Sequence, residues 1–298
     1  MNIGYLKFFY DVAKVKSISK VANSSHISQP ALSQQIQKLE DNLGYKLLIR
    51  SNKGVELTEA GKIVERYAKN IIKVYDNMLE DLNAIIKNNS TIRIDACPTM
   101  ATYALPCTLY MIKEKYPDCN YNLTSNFSDV VEQNVINDVC NVGFIQGLPN
   151  DEELAYSKVG TDRMVIVAGK DYYVKEDISM KELFKHPMIL LMEQFKIRRE
   201  LNGYFSNLGF DIDKQNILFN MDSVESIKSL LAKNLGISFL PYISIKKELY
   251  TKQLKEIHVV DFNLDYEVYI IYKHYKDMDR SVREFISFLK KIGEKSFC

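Results

Sequence analysis

Amides and hydroxyls that can pair with other polar groups cluster at the start of one predicted helix, which begins after Ser28 and ends near Gly44. Its apolar stripe consists of Leu32, Ile36, Leu39 and Leu43. The side chains facing away from that stripe are Gln29, Pro30, Ser33, Gln34 and Gln37. A glutamine amide can pair bidentately with adenine, a serine hydroxyl with several base edges, and a proline ring can contact a thymine methyl group. This face therefore has the chemistry of a helix that reads DNA.

Two short helices and a tight turn precede this helix. Leu6, Phe9, Tyr10 and Ala13 recur at helical spacing, and Ile18, Val21 and Ala22 follow Ser17. The polar turn SSHIS then ends at Ser28, which is a good N-cap. Pro30 is tolerated in the first turn of the helix, and Gly44 suits a left-handed residue at its C-terminal end. This order predicts a helix-turn-helix.

A small hairpin is predicted after Gly44. The runs Leu47-Leu48-Ile49 and Val55-Glu56-Leu57 are strand-like, and Ser51-Asn52-Lys53-Gly54 between them forms a basic tip. The pattern is typical of a wing beside a helix-turn-helix.

A helix of about 30 residues is predicted from Thr58, its N-cap, to a polar tract at 87–90. Its apolar positions are Ala60, Val64, Tyr67, Ile71, Val74, Met78, Leu82 and Ile85. These spacings approach a heptad seam, and a helix of about 45 Å exceeds what one small domain can cover. We therefore expect the stripe to pack against a second copy of the chain.

From Thr91 the pattern changes to alternating short strands and helices, which predicts an α/β domain with a largely parallel sheet. A new strand, MVIVAG, follows a polar stretch at 160–163. A late strand at 266–272 and a helix at 279–292 are expected to return to the first part of the domain. Two lobes are thus predicted: lobe I at about 90–162 and 266–298, and lobe II at about 163–265.

Polar residues fall at the strand–helix junctions of this predicted domain, where a ligand between two lobes would lie. The candidates are Thr99, Met100, Thr102, Ser128, Gln146, Gln194 and Lys196. Ser128 is interpreted as an N-cap, and Gln146 ends the strand NVGFIQ. Hydroxyls, helix N-termini and a lysine favour a small anion or carboxylate.

Charge is distributed unevenly along the 298 residues. Residues 1–90 carry 13 Lys and Arg against 9 Asp and Glu, whereas residues 91–298 carry 26 against 29. A basic N-terminal part fits nucleic-acid binding.

With no signal peptide or apolar run of membrane-spanning length, we expect a cytoplasmic protein. Five cysteines without a CxxC pair indicate reduced thiols.

The sequence around the helix-turn-helix resembles the LysR-type transcriptional regulators. The resemblance rests on Leu6 and Phe9 and on the segments SISKVA, ISQPALSQQIQKLEDNLGYKLLIR and GVELTEAG. It is dense over about 60 residues and looser beyond. Leu48 stands where the family usually has Phe, and Lys20-Val21-Ala22 where a double Ala is usual. Asn234 and Asn141 also replace residues that are frequent in the family.

The resemblance implies a bacterial regulator with three parts: a winged helix-turn-helix at 1–58, a linker and dimerisation helix at 59–89, and an effector domain at 90–298 with the two-lobed α/β fold of periplasmic binding proteins. Gln29, Pro30, Ser33 and Gln34 would enter the major groove, with Gln37 further along the same face, and Lys53 would reach the minor groove. Lys7, Lys38 and Arg50 would contact phosphates. Dimers of dimers would form a homotetramer on an interrupted inverted repeat, with RNA polymerase and a small-molecule effector as further partners.

Three alternatives remain open at the sequence level. A two-lobed enzyme has little support, because the four histidines are scattered and no glycine-rich phosphate loop is present. We expect no catalytic residue, cofactor or metal site. A redox sensor would place a cysteine pair in lobe II, but residues 163–297 contain none. A DNA-binding protein without a ligand is the third alternative.

Overall fold

The structure is a computed structural model that describes residues 2–51, 54–87, 89–175, 178–259, 262–274 and 278–292. The chain separates into two units, Met1–Asn88 and Asn89–Cys298. The elements of the first unit are α1 (Ile3–Val15), α2 (Ile18–Ser24), α3 (Gln29–Leu43), β1 (Leu48–Ser51), β2 (Gly54–Leu57) and α4 (Glu59–Lys87). β1 and β2 form an antiparallel hairpin.

The core of the first unit forms where the apolar periodicity predicts it. Leu6, Phe9, Val21, Leu32, Ile36 and Leu39 are all at most 2% exposed. Each such side chain contributes about 1.5–3 kcal/mol through burial. Because Leu32, Ile36 and Leu39 face this core, the first-turn polar face of α3 remains at the surface.

Local caps fix the helix boundaries of this unit. The Ser28 hydroxyl accepts from the Ala31 amide at 3.3 Å, and Gly44 ends α3 with φ of 76°. Thr58 Oγ1 accepts from the Gly61 amide at 2.9 Å and donates to the Lys46 carbonyl at 2.7 Å. The predicted caps at Ser28, Gly44 and Thr58 are confirmed, and they set where α3 ends and α4 begins.

The long helix α4 has two apolar faces rather than the single predicted seam. Ala60, Val64, Ala68 and Ile72 pack on the core of the first unit. A second set remains exposed and consists of Ile63, Tyr67, Ile71, Met78, Leu79, Leu82 and Ile85. The prediction that Ala60 and Val64 belong to the outer stripe is wrong, because both side chains pack on the core of the first unit.

The second unit contains one mixed sheet flanked by helices. Its strands are β3 (Ser90–Ala96), β4 (Cys119–Ser125), β5 (Val142–Gln146), β6 (Ala155–Gly169), β7 (Met188–Leu191), β8 (Ile217–Met221), β9 (Ile237–Pro241), β10 (Leu254–Ile257) and β11 (Leu264–Tyr272). Its helices are α5 (Leu105–Lys115), α6 (Ser128–Ile136), α7 (Met180–Leu183), α8 (Lys196–Asn207), α9 (Val224–Leu231), α10 (Tyr242–Tyr250) and α11 (Arg280–Ile292). A π-helical turn, Met100–Ala104, precedes α5, and a short 3-10 helix spans Ile212–Lys214.

The strand order is β4-β3-β5-β11-β6-β9-β7-β8, with β10 beside β6. β3, β4 and β5 are parallel to one another, as are β7, β8 and β9. β6 and β11 pair antiparallel between these groups. The predicted two-lobed α/β class is confirmed, although the sheet is mixed. The expected break at 160–163 is wrong, because β6 runs through it without interruption.

Candidate nucleic-acid interface and ligand cleft

The first turn of α3 presents a polar surface. Gln29, Pro30 and Gln34 are exposed, and Ser33 is half-buried. Ser19 Oγ, on α2, donates to Gln29 Oε1 at 2.9 Å. The neighbouring helix thus orients one of the predicted base-reading amides.

The hairpin contacts this surface through Arg50. Its Nη1 donates to Ser33 Oγ at 3.3 Å, although the arginine side chain remains exposed. Lys38 of α3 is also exposed. Lys53 lies outside the described residues. The described part of the wing therefore adds one cation beside the polar face.

Gln37 differs from the other glutamines because both ends of its amide are occupied. Its Nε2 donates to Asp41 Oδ1 at 2.7 Å, and its Oε1 accepts from Lys46 Nζ at 2.9 Å. The local packing thus gives Gln37 a supporting position in α3. Lys7 also differs from expectation, because its ammonium pairs with Asp76 of α4 at 2.6 Å.

Glu40 is a structural residue that the sequence reasoning missed. Its side chain is 5% exposed and accepts from the amides of Leu47 and Leu48 at 2.8 and 3.2 Å, and from Lys46 Nζ at 2.8 Å. Burial alone would raise the pKa of this carboxyl group, but the lysine and the two amides outweigh it and lower the pKa. In the sequence, the one indication of this structural role was an acidic residue placed among the buried apolar positions of α3. Glu40 fixes the start of the wing relative to α3.

In the second unit, three strand ends meet at one edge of lobe I. Cys97 N donates to the Phe144 carbonyl at 2.8 Å, and Asn126 N donates to the Ala96 carbonyl at 3.0 Å. Ser128 Oγ accepts from the backbone N–H of Gln146 at 3.4 Å. Ser128 is the first residue of α6 rather than its N-cap, so its hydroxyl is available for this contact.

Most of the predicted ligand-binding residues of lobe I lie at this edge. Thr99, Met100, Ser128 and Gln146 are each at most 3% exposed. Gln146 Nε2 interacts with the Tyr266 hydroxyl but has no acceptor in full hydrogen-bond geometry within the described chain. Thr102 is exposed. A buried amide donor without a well-aligned acceptor indicates a place that another molecule could complete.

Asp95 holds this edge in shape and was missed by the sequence reasoning. It is fully buried, and its carboxylate accepts from Thr124 Oγ1 at 3.1 Å, Asn126 Nδ2 at 2.9 Å and Asn134 Nδ2 at 2.6 Å. Because these donors come from β4, the following loop and α6, one carboxylate fixes three segments behind the site.

Lobe II faces this edge through the start of α8. Lys196 Nζ donates to the Leu148 carbonyl at 2.9 Å, and Arg199 Nη2 pairs with Asp129 at 2.8 Å. The rings of Phe127 and Phe195 meet edge to face at 4.9 Å. Gln194 is exposed, and its amide contacts Met192 of its own loop. We refer to these two facing edges, a candidate binding site, as the ligand cleft.

A second set of contacts joins the lobes at the π-helical turn. Tyr103 donates to Glu225 at 2.6 Å, and the Lys228 ammonium lies 5.0 Å from the Tyr103 ring centre. Lys228 is buried and also pairs with Glu225 at 2.6 Å and Glu248 at 3.0 Å. Burial and the Glu225 hydrogen bond raise the pKa of Tyr103 well above its usual range.

The free thiols of the second unit are suited to packing rather than redox chemistry. Cys97, Cys119 and Cys140 are free and buried. Burial raises the pKa of Cys97 to about 12 and that of Cys140 further, which keeps both protonated. The expectation of reduced thiols is wrong for Cys107, which is disulfide-bonded.

Within the described ranges, no cluster of three or more His, Cys, Asp or Glu side chains is placed to hold a metal ion. None of the described helices combines the length and hydrophobicity that a membrane span requires. A cavity of about 440 Å³ lies between α5 and α11, away from the ligand cleft, and is lined by Lys115, Tyr116, Arg280, Arg283, Glu284, Ser287, Phe288 and Lys291.

A helix-turn-helix with a hairpin, followed by a two-lobed α/β unit, defines the class of DNA-binding transcriptional regulators that carry a substrate-binding domain. The chain belongs to the LysR family. Residues 3–62 match the bacterial regulatory helix-turn-helix protein, lysR family, and residues 87–293 match the LysR substrate binding domain.

Known proteins agree with this assignment. A probable RuBisCO transcriptional regulator from Porphyra purpurea is 30% identical over 83% of this chain and 80% of its own. The crystal structure of CbnR, a LysR family transcriptional regulator, superimposes with a TM-score of 0.79 at 17% identity, covering 99% of this chain and 100% of that one. Full-length CbnR complexed with its target DNA gives a TM-score of 0.76 at 18% identity, covering 98% and 99%.

Proposed function

We propose that the chain binds a specific promoter site through the first turn of α3 and the wing. The observation that carries this proposal is the exposed surface of Gln29, Pro30 and Gln34, with Ser33 held by Arg50 at its edge. Amides and hydroxyls read base edges, while exposed cations such as Lys38 and Arg50 neutralise phosphates. The structure of CbnR with its target DNA supports such a role for this fold.

The exposed face of α4 supports self-association. Tyr67, Ile71, Met78 and Leu82 are 57, 41, 46 and 54% exposed in the single chain, which is costly for a continuous apolar stripe in water. A second copy that covers this stripe would form a dimer with two α3 surfaces, suited to an interrupted inverted repeat. We propose that dimers pair into a homotetramer and that the bound assembly acts on RNA polymerase.

The ligand cleft is proposed to bind a small metabolite that carries an anionic group and controls DNA binding or promoter activation. Thr99, Met100, Ser128, Gln146 and Lys196 are the proposed contacts. Lys196 supplies the cation, and the buried Gln146 side-chain amide supplies a donor that lacks an acceptor in full hydrogen-bond geometry. Thr102 and Gln194 remain proposed contacts at the periphery, since both are exposed.

Genome-wide footprinting with the purified full-length protein, with and without the metabolites of the pathways encoded beside its sites, tests the proposal. We expect protection of discrete inverted repeats that changes with one class of metabolite. A ligand at about 100 times its dissociation constant should add roughly 2.7 kcal/mol of stability. Uniform protection of all DNA would contradict specific recognition.

A further inference from the structure

Glu200 places a carboxylate in the ligand cleft. It lies on α8, one helical turn after Lys196. A Cβ atom built at Gly147 of lobe I would lie 3.1 Å from Glu200 Oε1 and 3.2 Å from Lys196 Nζ. Both charged groups of α8 therefore approach the residue that follows Gln146, where the strand ends of lobe I converge.

The carboxylate of Glu200 receives no hydrogen bond from any group in the described ranges. Its nearest cations donate elsewhere: Lys196 to the Leu148 carbonyl, and Arg199 to Asp129 and to the Glu193 and Gln194 carbonyls. Burial raises the pKa of Glu200, with Lys196 and Arg199 opposing this effect. A half-buried carboxylate in this setting gains from a cationic partner, which would compensate its lost hydration.

The opposite requirement holds for two other groups, Gln146 of lobe I and Lys196 of α8. Gln146 Nε2 is a buried donor whose neighbour, the Tyr266 hydroxyl, is not in full hydrogen-bond geometry, and the Lys196 ammonium has three donors, of which Leu148 takes one. These groups suit a ligand carboxylate. Lys196 and Glu200 are four residues apart on one helix face, so a positive and a negative side chain lie about 5–6 Å apart at their Cβ atoms. The complementary ligand carries a negative and a positive group close together.

We propose that the ligand of the cleft is an amino carboxylate, whose carboxylate binds Lys196 and Gln146 and whose ammonium group binds Glu200. This inference rests on the proposed ligand cleft and deepens it. Glu200 selects against acids that lack the ammonium group, because they would leave its carboxylate half-buried without a donor.

Isothermal titration calorimetry on the full-length protein tests the assignment. The probes are the standard L-amino acids at millimolar concentrations and, for each that binds, the acids that carry a hydroxyl group or a hydrogen in place of the ammonium. We expect an amino acid to bind, and its two analogues to bind at least about tenfold more weakly. Glu200→Gln should weaken amino-acid binding by a similar factor. Glu193→Gln, which removes an exposed carboxylate from the preceding loop, should leave it unchanged.

Three results would overturn the inference: analogues that bind as tightly as the amino acid, full affinity in Glu200→Gln, or no amino-acid binding. The proposed function is tested separately. If an analogue binds and Gln146→Ala abolishes that binding, the cleft holds the ligand and only its class is wrong. A cooperative thermal unfolding transition in Glu200→Gln, followed by circular dichroism, checks that this variant is folded.

Discussion

Arg50 donates a hydrogen bond to Ser33 over 3.3 Å, which joins the first strand of the wing to the exposed face of α3. A serine hydroxyl has one proton and two lone pairs, so Ser33 can accept from Arg50 and still donate to a base. The contact sets the position of the wing cation relative to the glutamines that precede and follow Ser33. In the proposed mode of DNA binding, α3 and the wing therefore act as one surface.

Replacing Gln29 and Ser33 together by alanine should abolish sequence discrimination while self-association persists. Each lost base contact removes about 1–3 kcal/mol of preference for the correct site. Gel-shift titrations against the footprinted site and a scrambled duplex measure the preference. Asn42→Ala, at the exposed far end of α3, serves as the control and should keep it. Retained discrimination in the double variant would contradict the assignment of this face.

Lys38→Ala should weaken binding to all duplexes alike. If Lys38 neutralises one phosphate, its loss reduces the slope of log affinity against log salt concentration by about 0.9. Titrations over a series of salt concentrations measure the slope. Lys62→Ala is a matched control, because this lysine is exposed and pairs with Glu59 on α4. An unchanged slope for Lys38→Ala would show that the Lys38 ammonium faces solvent and contacts no phosphate.

Glu40→Gln should destabilise the first unit by about 1.5–3 kcal/mol, the value of hydrogen bonds to a charged group. The pKa of Glu40 is lowered by folding, so its contribution is fully present above the pKa of the unfolded chain and is lost as pH falls through the folded pKa. Urea unfolding at several acidic pH values should therefore show a smaller pH dependence in the variant. Glu56→Gln, on the exposed side of β2, should match the wild type. Equal pH dependence in Glu40→Gln and wild type would refute this role.

Gly61→Ala should cost about 1–3 kcal/mol, because overpacking forces the backbone apart. A Cβ at Gly61 would lie 2.1 Å from the Leu47 carbonyl oxygen, where α4 passes the start of the wing. Gly203→Ala is the control: its Cβ would meet nothing within 4 Å on α8, and alanine should stabilise that helix by about 0.5–1 kcal/mol. Thermal unfolding compares the two. An unchanged thermal stability in Gly61→Ala would mean that α4 can move away from Leu47 without cost.

Ile71→Asp with Met78→Asp should lower the oligomeric state, because both side chains lie on the exposed stripe of α4 and a buried unpaired charge opposes association. Light scattering coupled to size-exclusion chromatography measures the mass. Lys69→Asp changes charge on the same helix at an exposed polar position and should leave the mass unaltered. An assembly of unchanged mass in the double variant would place the interface elsewhere.

Local signals in the sequence were sufficient for much of the first unit. Ser28, Pro30 and Gly44 each act through bonds within a few residues, so their types alone located α3. Gln37 and Glu40 could not be interpreted in this way, because their partners, Lys46 and the Leu47 amide, are fixed only when the wing packs on the helix. Glu200 was missed for the same reason: its position opposite Gly147 depends on how two lobes meet.

β6 pairs with β11 along its first part and with β9 along its last, so a single extended segment belongs to both halves of the ligand-binding unit. Where it crosses, Asp162 accepts a 2.6 Å hydrogen bond from Tyr266 of β11 and further bonds from the Ile243 amide at the start of α10. We therefore expect a ligand that draws the two halves together to twist the hydrogen-bonded ladder of β6 and β11, and the resulting displacement to be small.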